Sequence, residues 1–190
     1  KATPDGEILN VLCWGSVTEP AILVRHLESA GQAEMLKRVR FIAHWTNSSF
    51  HMGTLENPAT PPNCNEDAAA CAFLKRRAKA GVIAYHECGG IGQHGIVSGG
   101  PTGDEYFNQF KISELGRLFV EGKYVRGRVD HSDAATYWAL LSGYGVNLQD
   151  LPADGSNPPR VELRNEKAFK KNSRKIHDEL LRRARAAADR

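Results

Sequence analysis

A three-layer α/β fold, with one mainly parallel sheet flanked by helices, is the class this sequence predicts, and three observations carry it. Strand signals alternate with helix signals from the start of the chain. Strand, loop and helix recur in that order, and parallel strands need helical crossovers of this kind. The 190 residues, 41% hydrophobic and 25% charged, are enough for one mid-sized domain and match an ordinary globular composition, which excludes disordered and collagen-like classes.

The first strand is expected over residues 8–13, an apolar run ended by Trp14, Gly15 and Ser16. Thr18 is placed to cap the helix that follows, with Glu19 and Pro20 in its first turn, Ile22, Leu23 and Leu27 on its apolar rows and a stop near Gly31. Residues 39–44 form the next strand candidate. The stretch from Thr46 to Asn65, which holds Pro58, Pro61 and Pro62 and has little periodicity, reads as a long loop, and loops of that length are commonly functional. Asp67 caps a helix reaching about Ala80, and Gly81 separates it from a third strand at 82–86. Residues 89–103 hold seven glycines in fifteen positions and read as a loop region. They match neither the phosphate-binding GxxxxGK[ST] run nor the dinucleotide GxGxxG run. Helical patterning returns over 113–120 and again from Ser132 to Gly143, and a last amphipathic helix spans about 165–188.

Residues 160–190 carry eleven Lys or Arg against five Asp or Glu, a surplus of six, which leaves the preceding residues three negative under the overall +3. With Phe169 as its lone aromatic, this tail lacks the interleaved rings that stack nucleic acid bases, so it reads as a solvated or partner-facing helix side and no nucleic acid partner is expected. No window approaches the roughly 18 consecutive apolar residues of a membrane-spanning helix. Four cysteines, Cys13, Cys64, Cys71 and Cys88, show no zinc-finger spacing. Cys64 and Cys71 are near enough in sequence for a local disulfide if the segment between them turns, and buried thiols are the equal alternative.

Polar groups collect after the strands. They are the 13–18 turn, the His44-Trp-Thr-Asn47 segment, and Asp130-His-Ser-Asp133 ahead of an apolar helix. In a parallel sheet such groups meet beyond the carboxyl ends of the strands, where α/β proteins bind ligands. Local sequence leaves Asp133 open between capping its helix and serving a site.

These segments resemble, in chain order over roughly residues 8 to 143, the nucleoside hydrolase family, the inosine/uridine-preferring nucleoside hydrolase superfamily, with the nucleoside hydrolase-like domain of secreted bacterial proteins as the nearest type. The run from Asn10 to Ala21 is similar to the family's strand, small-residue turn and Thr-Asn helix start, with Glu19 where Asn is usual. His44-Trp45-Thr46 stands in place of a Met-Gly-Gly after the second strand. Asn63 and Asp67 match the Asn and Asp of Glu-Phe-Asn followed by Asp-Pro-Glu-Ala-Ala, and Pro61 replaces its Glu. Ser132-Asp133 resembles the family's late His-Asp. The family's acidic Asp-x-Asp-x-x-x-Asp-Asp run has no counterpart, so by this resemblance residues 1–190 form a single domain that is the carboxyl-terminal portion of a larger one.

The resemblance implies hydrolysis of an N-glycosidic bond in a riboside, with calcium positioning the ribose hydroxyls and activating water. Asp133 and the Trp14 backbone carbonyl would contact the metal; Asn63, His44 and Asn47 would bind substrate; His44 and His131 are the catalytic candidates, with His94 a further group for the leaving base. An extracytoplasmic location and either a missing N-terminal segment or a homo-oligomer are the implied setting. The competing reading is a carbohydrate- or nucleoside-binding or assembly module that has lost the acidic metal motif.

Overall fold

The computed structural model describes residues 6–48, 50–52 and 60–188. Three parallel strands, β1 (Leu9–Cys13), β2 (Val39–Ala43) and β3 (Ala84–Glu87), form a sheet in the order β1-β2-β3. Leu9 faces Val39 and Cys13 faces Ala43, while Ala43 pairs in turn with Glu87, so the three carboxyl ends finish level. Helix α1 (Thr18–Ser29) and a 3-10 turn (Ala33–Arg38) connect β1 to β2; α2 (Pro62–Asn65) and α3 (Ala68–Lys79) lie between β2 and β3. The outer edge of β3 is covered by residues 153–155, whose backbone exchanges hydrogen bonds with Tyr85 at 2.8 and 2.9 Å.

Strand side chains alternate between the two faces. Phe41 and Tyr85 point to one side, where they pack with Val24, Leu27, Leu74 and Ala78 of α1 and α3. Ile42 points to the other, where Ile91, Trp138, Phe169 and Ile176 close a second core. That second layer is built from α6 (Ala134–Leu141), a π-helical segment (Gly92–Val97) and the 30-residue α7 (Pro159–Ala188). A third cluster joins α4 (Asp104–Phe107), α5 (Glu114–Lys123) and the antiparallel pair β4 (Tyr124–Val125) and β5 (Arg128–Val129) to the far end of α7 through Phe107, Phe110, Val120 and Leu181. The molecule is thus mixed α/β, with a small parallel sheet flanked by helices. No helix among the described residues is long and apolar enough to cross a membrane.

Several boundaries differ from the sequence reading for local reasons. Strand three runs 84–87 rather than 82–86, because Val82 still donates to the Arg77 carbonyl (3.0 Å) behind Gly81 at φ 70° as the chain leaves α3. Thr18 is not the cap of α1: Val17 holds that position, and the Thr18 hydroxyl instead donates to Asp67 Oδ2 at 2.7 Å. Asp67 does cap α3, accepting the Ala70 amide at 2.9 Å. The last helix begins at Pro159, six residues ahead of the expected start.

The glycine-rich stretch is not loop alone. Its central part is the π-helical segment, and the glycines are there for contact: a Cβ on Gly92 would fall 1.9 Å from the Ser132 carbonyl oxygen, and one on Gly100 would fall 2.3 Å from the His177 ring. The basic helix α7 packs over this segment, burying Phe169, Ser173, Ile176 and His177 together with Glu162, and leaving most of its charged residues on the outer side.

Candidate functional site

The level ends of the three strands set a polar rim on an apolar sheet. β2 is followed by His44, Trp45 and Thr46; β3 ends in Glu87; β1 is followed by Trp14. His44 is only 4% exposed, and its backbone amide donates to the Cys13 carbonyl at 3.0 Å, which locks the rim of β2 to that of β1. Its Nδ1 lies 2.9 Å from Asp133 Oδ1. Asp133 precedes α6 but makes no side-chain cap, so the choice left open by sequence falls to the contact across the rim. The Asp133 side chain keeps 32% exposure, and His44 Nε2 is buried with no hydrogen-bond partner among the described residues. Because the carboxylate accepts at Nδ1, the proton of a neutral ring is assigned there and the lone pair to Nε2.

Trp45 follows at φ 51°, a left-handed conformation that a bulky residue rarely adopts and that is held only where surroundings enforce it. Its indole stands edge-on to the rings of both His44 and His94, each 5.9 Å away. His94 in turn stacks on His51 with ring centres 3.6 Å apart, and His51 Nε2 meets Glu166 Oε2 at 2.6 Å. One imidazole–carboxylate pair thus adjoins Trp45 directly, and a second lies behind His94. Burial and the neighbouring His51 lower the basicity of His94. Glu162, also buried, accepts Ser48 Oγ (2.9 Å) and the Gly90 amide (2.7 Å), and burial raises its pKa.

Behind the rim sits Glu87, fully buried. It accepts the Gly89 amide (2.7 Å), the Thr46 amide (3.3 Å) and the Thr46 hydroxyl, and burial pushes its pKa up to about 7. Lys75 reaches the same place, donating to the Thr46 carbonyl at 2.6 Å.

Of the residues singled out in the sequence, the structure brings together His44, Asp133, Trp14 and Asn63. Asn63 Nδ2 donates to the His44 carbonyl at 2.8 Å, so this amide holds the rim backbone. A disulfide between Cys64 and Cys71 ties α2, and with it Asn63, to α3; Cys13 and Cys88 are buried thiols. Asn47 is turned to structural work, its Nδ2 donating to the Gly155 carbonyl (3.2 Å) and its own carbonyl accepting from Asn157 (2.9 Å). His131 is buried, packed edge-on against His177 at 4.6 Å and Phe119 at 5.9 Å and bonded to the Val129 carbonyl. A cavity of about 500 Å³ lies at the opposite, amino-terminal end of β2 and β3, with only Lys37 and Asp154 as charged lining groups.

Glu87, His51, Glu166 and Thr136 were not singled out from sequence. Glu87 left one signal there, a charged residue at the end of an apolar strand; the others are single polar residues within ordinary helix or loop text.

Among the described residues no three His, Cys, Asp or Glu side chains gather as a metal-holding group, and Asp133 spends one oxygen on His44. Calcium takes six to eight oxygens. Asp133 and the Trp14 carbonyl by themselves supply only a small part of such a set. No protein-family model matches the chain, and neither the curated proteins nor the solved structures contain a significant match to it.

Proposed function

We propose that the rim binds a riboside and hydrolyses its N-glycosidic bond, with His44 and Asp133 as the acid–base pair. The observation that carries this reading is a buried imidazole oriented through one nitrogen by a carboxylate while its other nitrogen has no partner. In such a pair Nε2 takes the proton from an attacking water, and the Asp133 carboxylate stabilises the imidazolium that results. The water oxygen bonds to C1′ as the bond from C1′ to the base nitrogen breaks, and the base leaves with that electron pair. Asn63 and the disulfide act one step behind, fixing the backbone that carries His44.

Membership of a nucleoside hydrolase-like family and an extracytoplasmic location belong to the same proposal. The first is supported by the order of motifs along the chain, the second by the Cys64 to Cys71 disulfide, since such bonds persist in oxidising compartments.

The test is release of ribose from inosine, uridine and adenosine by the full chain, with and without added calcium, compared with His44→Ala. Ribose release that disappears in the variant is the expected result. Binding of base or riboside without turnover, under either condition, would replace hydrolysis with the binding-module reading, and turnover that survives His44→Ala would move the chemistry elsewhere.

A further inference from the structure

Trp14 is 55% exposed, an unusual state for the largest apolar side chain, and it stands directly after β1 on the rim. Exposure alone means little. The indole is also fixed: its Nε1–H donates to Thr136 Oγ1 at 2.8 Å, and the Thr136 hydroxyl, itself fully buried, donates its one proton to the Asp133 carbonyl at 2.9 Å. The hydroxyl therefore has one role toward each partner, and the indole is locked by its polar edge while its ring remains open to solvent. Thr136 lies one turn along from Asp133, so the anchor of the ring and the carboxylate that orients His44 share the first turn of α6.

A large ring held in one orientation, with its ordering cost already met in the free protein, is a preorganised stacking surface. Planar heteroaromatic rings stack on such surfaces, and a base–aromatic stack contributes on the order of 1–3 kcal/mol. We infer that Trp14 is the stacking platform for the flat heteroaromatic base of the ligand, and that Thr136 is the positioning residue that holds it. This rests on the riboside reading for the identity of the ligand as a whole, but the platform itself is a binding property that can be measured without turnover.

The experiment is a fluorescence titration of the full chain with free adenine, with free ribose as the second probe, on the parent protein, Trp14→Ala, Trp14→Phe and Thr136→Val. The exposed position of Trp14 makes its variants safe for folding, which circular dichroism checks. The expected result is quenching by adenine that saturates in the parent, weakens roughly fivefold or more in Trp14→Ala, the lower end of what one stack supplies, and is largely restored in Trp14→Phe. Thr136→Val should give an intermediate loss, because the ring stays but its anchor is gone. Equal adenine affinity in parent and Trp14→Ala, or no adenine binding by the parent, overturns the inference. Binding of ribose that depends on Trp14 as strongly as adenine does overturns it also, by giving the ring to the sugar. If adenine binds through Trp14 and no riboside is hydrolysed, the platform stands and the hydrolase reading falls.

Discussion

Glu87 and Thr46 form a closed pair at the head of the sheet, in which the carboxylate receives both the amide and the hydroxyl of the threonine while the hydroxyl also meets the Tyr85 phenol at 2.7 Å. Both residues are fully buried. Ionising such a carboxyl is costly, and burial moves its pKa from the ordinary 4.5 to about 7.

That shift makes stability depend on pH in a stated direction. Below about pH 4.5 the group is protonated in both folded and unfolded chains and has no effect; between about 4.5 and 7 the folded chain binds the extra proton, so the contribution of Glu87 declines as pH rises and is at its worst above 7. Glu87→Gln, which keeps the shape and cannot ionise, should gain on the parent across that window by up to a few kcal/mol. Urea unfolding of both proteins at pH 4.5, 6 and 8 measures it, and a constant difference at all three would refute the assignment.

For Asp133→Asn the amide oxygen still accepts from His44 Nδ1, but the negative charge that stabilises an imidazolium is removed. Riboside turnover should fall by roughly 10²–10⁴-fold, with KM little changed. Because Asp133 is partly exposed, the melting temperature should move by only a few degrees. Initial rates and a thermal melt on the same preparation check both parts.

Opening the disulfide should act on the rim as well as on stability. The Cys64 to Cys71 loop is short, and its closure is worth about 2 kcal/mol in the chain-entropy account. The paired variant Cys64→Ala with Cys71→Ala should lose about that much, and it should weaken riboside binding further than the stability loss explains, since Asn63 lies beside Cys64. Restoring stability with an osmolyte without restoring affinity is the expected signature in a binding titration.

A methyl group at Gly92 has nowhere to go, because the obstacle is the Ser132 carbonyl oxygen rather than a movable side chain. Gly92→Ala should cost about 1–3 kcal/mol and should displace Ser132 and the adjoining Asp133, lowering turnover in a protein that still folds. Gly15→Ala, where a Cβ meets nothing within 4 Å, is the matched control. Equal stability of the two variants would remove the packing role given to Gly92.

Strands and most helices were legible because their signals are local: an apolar run of five residues, Asp67 ahead of an apolar stripe, Gly81 after it. The π-helical segment was not, since glycine-rich text looks the same whether it is open loop or a surface shaped to receive a helix, and only the distance from Gly100 to His177 separates the two. The positions of Asp133 and Trp14, before a helix and after a strand, were enough to expect them near one another; the resemblance pointed to the backbone carbonyl of Trp14, while the structure shows its ring exposed and its Nε1 bonded to Thr136. His44 needed a partner far along the chain, and no spacing rule links it to Asp133. Thr18 shows the same limit in reverse: a good capping residue was used for a tertiary contact with Asp67.

Helix α7 is made after the segment it covers, and this order has a cost during synthesis. The sheet, with α1 and α3 on its first face, is complete once β3 has been translated, so that half has its own core early. The second face has no such independence. Until residues 159–188 have emerged, Ile42, Ile91 and Ile96 lack Phe169 and Ile176, and the nascent chain carries an uncovered apolar sheet face beside a glycine-rich stretch. Such surfaces are where partly made proteins stick to one another or are held by chaperones. A ribosome that stalls before α7 would therefore release an aggregation-prone half-domain, and synonymous changes that slow translation of the final helix should lower soluble yield without altering a single residue of the finished protein.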